Sequence, residues 1–129
     1  MPTKSLPSAA GCILQEAGDA WDAIRTPRSV GLAAMEILGA RCGAVAEGAS
    51  GTALYFFVPV GTARDWSVEN TRALGPGATV TIPPTRRTDG PGPHWRICPG
   101  GKSWLTDPDA LRAALGECMR VAPASERTA

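Results

Sequence analysis

The sequence predicts an α+β domain: a ferredoxin-like or RRM-like antiparallel sheet with helices on one face, plus a C-terminal helix. Three observations point there. In "SVGLAAMEILGA" the apolar residues Val30, Ala33/Ala34, Ile37 and Leu38 recur at helical spacing, whereas "CGAVAEG" and "TALYFFVPV" are β-rich runs on either side of "ASG". The stretch "TDPDALRAALGECMRVA" opens with helix-start chemistry. Strand, helix, two strands, short helix and strand, taken in order, make a βαββαβ core. At 129 residues, 43% hydrophobic and 19% charged, the chain suffices for one such domain.

Residues 1–10 lack periodicity and are expected to be a flexible N-terminus, residues 11–122 the single domain, and 123–129 a flexible tail. Cys12 to Ala17 is open to a helical turn, and Ala20 to Thr26 reads as the first strand. Pro27 ends that strand, Ser29 offers a cap to the helix, and Gly39 a stop. Gly51 suits the hairpin turn because it tolerates positive φ. Tyr55-Phe56-Phe57-Val58 is the strongest strand signal and fits a central strand covered on both faces. A short helix is expected from about Ser67 to Leu74, ended by Gly75-Pro76. "ATVTIPP" follows as a strand stopped by its prolines, and "HWRIC" as another. In the last helix Thr106 or Asp107 caps, Pro108 enters the first turn, Asp109 suits the dipole, and Leu111, Leu115, Cys118 and Ala122 form the buried stripe.

Composition excludes several classes. A formal net charge of +1 gives no polyanion-binding field over the whole surface, so nucleic-acid binding requires a local patch. Cys12, Cys42, Cys98 and Cys118 form no CxxC pair and only His94 is available to join them, so no metal site is expected, and no cofactor. No stretch has the ~20 continuous apolar residues of a membrane span, and the start carries no long apolar signal core. The expectation is a cytoplasmic protein with reduced thiols.

The runs "SGTALYFFVPV", "LGPGATVTIPPTRR" and "GPGPHWRI" resemble, in order, three signatures of bifunctional primase–polymerase domains. Those domains carry a "GG-x-H-hydrophobic-Y-F" strand, an acidic residue before a "G-Y-V-V-A-P-P-S" strand, and a Gly-rich loop closing on an aromatic strand. "SVGLAAMEILGA" is similar to their "G-L-A-A-L-E-x-L-G" helix, and "WDAIRTP" to the strand before it; the resemblance covers roughly residues 20 to 98. It implies a nucleotide cleft with two metals held by carboxylates one residue apart. This sequence departs at each such position. Arg25 and Pro27 take the carboxylate positions, Ala53 the histidine position, and the third acidic position falls among Thr71, Arg72 and Ala73. Asp22 lies further up the strand. Hard cations take oxygen ligands, so a guanidinium there reverses the charge the metals need.

The resemblance with its losses implies a degenerate, non-catalytic binding or regulatory module. Its first expected mode is protein–protein interaction or self-association, with Trp66, Trp95 and Trp104 as partner anchors. The alternative is nucleotide or nucleic-acid binding through Thr85, Arg86, Arg87, His94, Arg96 and Lys102, since residues 83–104 carry a formal charge of +3. A third reading is a small enzyme reusing the cleft with His94 as acid/base. Tyr55, Phe56 and Phe57 also suggest a stacking surface, but adjacent strand residues face opposite sides and core packing is favoured.

Overall fold

The structure is a computed structural model and describes residues 12–48, 51–84, 87–88, 92–99 and 104–128, with side chains through residue 118. Its architecture is α+β, with a five-stranded and a two-stranded antiparallel sheet and two helices. The elements are β1 (Ile13–Glu16), β2 (Asp22–Pro27), α1 (Arg28–Leu38), β3 (Val45–Glu47), β4 (Ala53–Val58), β5 (Arg72–Leu74), β6 (Thr79–Ile82), β7 (His94–Ile97) and α2 (Pro108–Thr128). The main sheet runs β5-β2-β4-β3-β7, while β1 pairs with β6 alone.

Two cores follow from the two-residue alternation of the strands. On one face Ile24, Val45, Leu54, Phe56 and Val58 pack against Ala34 and Leu38 of α1 and Leu111, Ala114, Leu115 and Cys118 of α2. On the other face Ala23, Ala46, Phe57 and Trp95 meet Ala17, Trp21 and Val80, so the β1–β6 ribbon covers that side. Phe57 sits edge-on to Trp21 at 4.9 Å between ring centroids, with Trp95 and Trp104 at 5.6 and 5.7 Å. Such aromatic contacts favour one packing arrangement over others. The Tyr55–Val58 run is therefore divided between the two faces, as its alternation requires.

Helix α1 starts at Arg28, so Ser29 lies inside its first turn and is not the cap; Pro27 precedes the helix with no side-chain cap bond. Gly39 ends it at φ 56°, its N–H donating to the Met35 carbonyl. The helix lies tight on the sheet because Gly31 has no side chain: a Cβ there would fall 2.5 Å from Thr26 Oγ1 and 2.7 Å from Leu54 Cδ1. For α2, Asp107 is the cap, accepting from the Ala110 N–H at 2.9 Å. Thr106 is buried and accepts from the Gly43 N–H at 2.8 Å. The helix continues past Pro123 to Thr128.

Three expectations need correction. Within Cys12 to Ala17, open in sequence to a helical turn, Ile13–Glu16 forms a strand. No helix forms at Ser67–Leu74: a 3₁₀ turn spans Thr62–Asp65, Asn70 turns the chain at φ 65°, and Arg72–Leu74 joins the sheet beside β2. Residues 79–82 accordingly leave the main sheet and pair with β1, Ile13 opposite Ile82 and Glu16 opposite Thr79. Pairing energy with the free edge of β2 outweighs the weak local helix signal.

Candidate functional site

The site is built at one end of the main sheet, where β2, β4 and β5 meet. Antiparallel register sets Arg25 of β2 opposite Tyr55 of β4 on one side and opposite Arg72 of β5 on the other. Directly opposed residues project to the same face, so Arg72, Arg25 and Tyr55 form a row on the face away from the helices. Beside the row lies a pocket of about 280 Å³ lined by Arg25, Thr26, Pro27, Thr52, Ala53, Asn70, Thr71 and Arg72. Arg25 and Arg72 are exposed, and neither side chain has a hydrogen-bond or ion-pair partner among the described residues. Thr71 is fixed by its hydroxyl, which donates to the Val68 carbonyl at 2.7 Å and accepts from Trp66 Nε1 at 2.8 Å.

Two unpaired guanidiniums facing across strands repel, which costs stability unless an anion lies between them. Cations, hydroxyl-bearing side chains and the Asn70 amide together suit phosphate or another oxyanion. They do not suit a divalent cation. Among the described residues no cluster of three or more His, Cys, Asp or Glu side chains is placed to hold a metal. Asp22 is turned away at the far end of β2, fully buried, its Oδ2 accepting from the Gly61 and Ala63 N–H groups at 2.9 Å each.

A second charged cluster occupies the same sheet end toward β7. Glu47 is 7% exposed, and its Oε2 accepts from Arg28 Nε at 3.1 Å while Oε1 accepts from Arg96 Nη1 at 3.0 Å. His94 Nε2 lies 3.4 Å from the same Oε1, and its Nδ1–H donates to the Gly92 carbonyl at 2.9 Å. Burial alone pushes the Glu47 carboxyl up, but hydrogen bonds from Arg96 and Arg28, with the charges of Arg28 and His94, hold it below its ordinary value.

The expected basic patch is thus divided. Thr85, Arg86 and Lys102 lie outside the described residues. Arg96 and His94 bind Glu47, while the Arg87 carbonyl accepts from the Trp95 N–H at 2.8 Å. His94 lies against Glu47 and Gly92 and is not among the residues lining the pocket, which does not suit an acid/base serving it. The tryptophans turn inward. Trp95 is 3% exposed, with Nε1 donating to the Pro84 carbonyl at 3.0 Å. Trp66 packs on the helical core under the Arg112 guanidinium at 5.2 Å, and Trp104 packs on Phe57. Burial raises the Cys42 thiol to about 11 against a smaller lowering by Thr106, and raises Cys118 too, so neither is a ready nucleophile.

Sequence reasoning counted Arg25 and Arg72 only as lost metal ligands and did not join them as a binding pair. The joining signal is the β2–β5 register, which the expected helix at Ser67–Leu74 concealed. Comparison with family models, with curated proteins and with solved structures finds no match to this chain.

Proposed function

We propose that this protein is a non-catalytic binding module that takes a phosphate-bearing ligand, a nucleotide or nucleic acid, at the β2–β4–β5 sheet end. The observation that carries the reading is the cross-strand Arg25–Arg72 pair over a pocket, without a counter-ion among the described residues. A volume of about 280 Å³ matches a phosphate with a compact organic group better than a large ligand. Tyr55, half-buried, stands directly opposite Arg25 in the register and is the aromatic residue of that row.

The primase–polymerase resemblance gains support from the same pocket. Arg25 and Pro27 at the carboxylate positions of the resembled family and Ala53 at its histidine position line it, as do Thr71 and Arg72, two of the three residues among which the third acidic position falls. On this reading the cleft kept its place and exchanged carboxylates for guanidiniums, so it grips phosphate directly and has no metal-based chemistry. Partner-protein binding ranks second, because the three tryptophans assigned to it serve packing.

Titration calorimetry with thymidine monophosphate and a short oligothymidylate at low salt tests this. Binding should weaken several-fold when salt is doubled, and charge reversal in Arg25→Glu or Arg72→Glu should abolish it. Absence of binding at low salt, or reversal variants that bind like the parent, overturns the reading. Nucleotide incorporation on a primed template with magnesium or manganese overturns its non-catalytic half.

A further inference from the structure

Taking the Arg25–Arg72 pocket as a phosphate site, we propose that its ligand is a phosphate monoester, the dianionic group of a mononucleotide or of a phosphorylated strand end, and not the diester linkage inside a strand. Charge is the first ground. Arg25 and Arg72 are the charged residues that line the pocket, and no carboxylate lines it among the described residues. Neither guanidinium has a side-chain partner among them. A phosphate monoester carries a charge of about −1.5 to −2 at neutral pH. A diester linkage carries one negative charge. Only the monoester cancels both guanidiniums and so removes the repulsion that the β2–β5 register imposes on them.

Geometry is the second ground. Residues directly opposed in an antiparallel pair have Cβ atoms about 4.5–5.5 Å apart, so the heads of Arg25 and Arg72 are able to close on one anion. Each guanidinium is a planar fork that takes two oxygens at once. A monoester offers three terminal oxygens to the two forks, and a diester only two. The rest of the wall adds few donors. Thr71 gives both its hydroxyl hydrogen and its N–H to the Val68 carbonyl, at 2.7 and 3.3 Å. Pro27 has no N–H, and the Arg28 N–H that follows it is given to the Thr52 carbonyl at 3.0 Å. Recognition therefore falls mainly to the two side-chain charges and follows the charge of the ligand.

Titration calorimetry with thymidine monophosphate and with its methyl ester tests this, since esterification removes one charge and one free oxygen and leaves the nucleoside intact. The ester should bind about tenfold more weakly. Monophosphate affinity should fall as pH drops through the second phosphate pKa, about 6, while that of the ester stays flat. Besides the arginines no titratable side chain lines the pocket among the described residues, and the row beside it adds only the Tyr55 phenol. The ester, measured at each pH, controls for titration of the protein itself. Arg72→Gln should bring the two ligands to within about threefold of each other, because one charge then suffices, and Arg72→Lys should restore the preference. Competition by 5′-phosphorylated but not by 5′-hydroxyl oligothymidylate admits a strand end as the source; competition by the mononucleotide alone restricts the source to free nucleotides. An ester that binds like the monophosphate, or monophosphate affinity unchanged between about pH 7.5 and 5, overturns the proposal. If neither ligand binds the parent, or Arg25→Glu binds the monophosphate like the parent, the pocket reading itself fails, a result separable from loss of the monoester preference.

Discussion

Arg25 and Arg72 place function and stability in opposition at the scale of single side chains. Like charges directly opposed across a strand pair cost about 0.2–1 kcal/mol. Arg72→Gln should therefore raise the melting temperature slightly while lowering phosphate affinity; a variant less stable than the parent would show that the guanidinium is held by packing and not kept for a ligand. Glu47 is the reverse case, a buried carboxylate whose removal leaves the Arg28 and Arg96 guanidiniums without their shared counter-charge. Glu47→Gln should cost about 2 kcal/mol in urea unfolding, as expected for charge-assisted hydrogen bonds. Its carboxyl is held below the ordinary value of 4.5 in the folded state. The folded state therefore binds fewer protons than the unfolded one, and this contribution is full above that value and fades as pH falls through the lower, folded one. Stability of the parent should drop more steeply than that of Glu47→Gln as pH falls below the ordinary carboxyl value of 4.5; parallel curves would remove Glu47 from the account.

Gly31 shows how an element's contacts override its propensities. Glycine to alanine inside a helix normally gains about 1 kcal/mol. Here the added methyl would press on Thr26 Oγ1 and Leu54 Cδ1, both in the buried layer under α1. Overpacking of that kind costs about 1–3 kcal/mol, so Gly31→Ala should destabilise on balance. An unfolding midpoint at or above the parent's would mean that α1 can lift without loss. The same competition explains which elements were legible. Helix α1, the β3–β4 hairpin with its Gly51 turn, β7 and the start of α2 carry local signals: apolar period, a positive-φ glycine, an Asp-Pro opening. Strand β5 carries none, since three residues are too few to show alternation and its partner β2 is distant in sequence. The pairing of β6 with β1 was hidden for the same reason, because nothing local distinguishes a ribbon edge from a sheet edge.

Taken whole, the molecule is a sheet enclosed on one face by helices and on the other by a ribbon and tryptophans, with Arg25 and Arg72 on one side and Arg28 and Arg96 on the other at the same end. Composition gave no sign of these placements: a net charge of +1 averages over the chain, whereas register sets Arg25 opposite Arg72 and Glu47 joins Arg28 to Arg96. Position in the fold and charge at that position are thus separable, and the pocket allows them to be separated by experiment. Residues 25 and 27 stand two apart on β2 and so project to one face, both lining the pocket. Replacing them together, Arg25→Asp with Pro27→Asp, would set two carboxylates side by side there with the backbone path unchanged. Hard divalent cations take such oxygen ligands. The double variant should bind manganese, seen as loss of the free-ion paramagnetic resonance signal, and should lose metal-free binding of thymidine monophosphate. The parent should do the opposite on both counts. If the double variant folds like the parent and ignores manganese, the pocket lacks the geometry of a former metal cleft, and its arginines belong to a site of other descent.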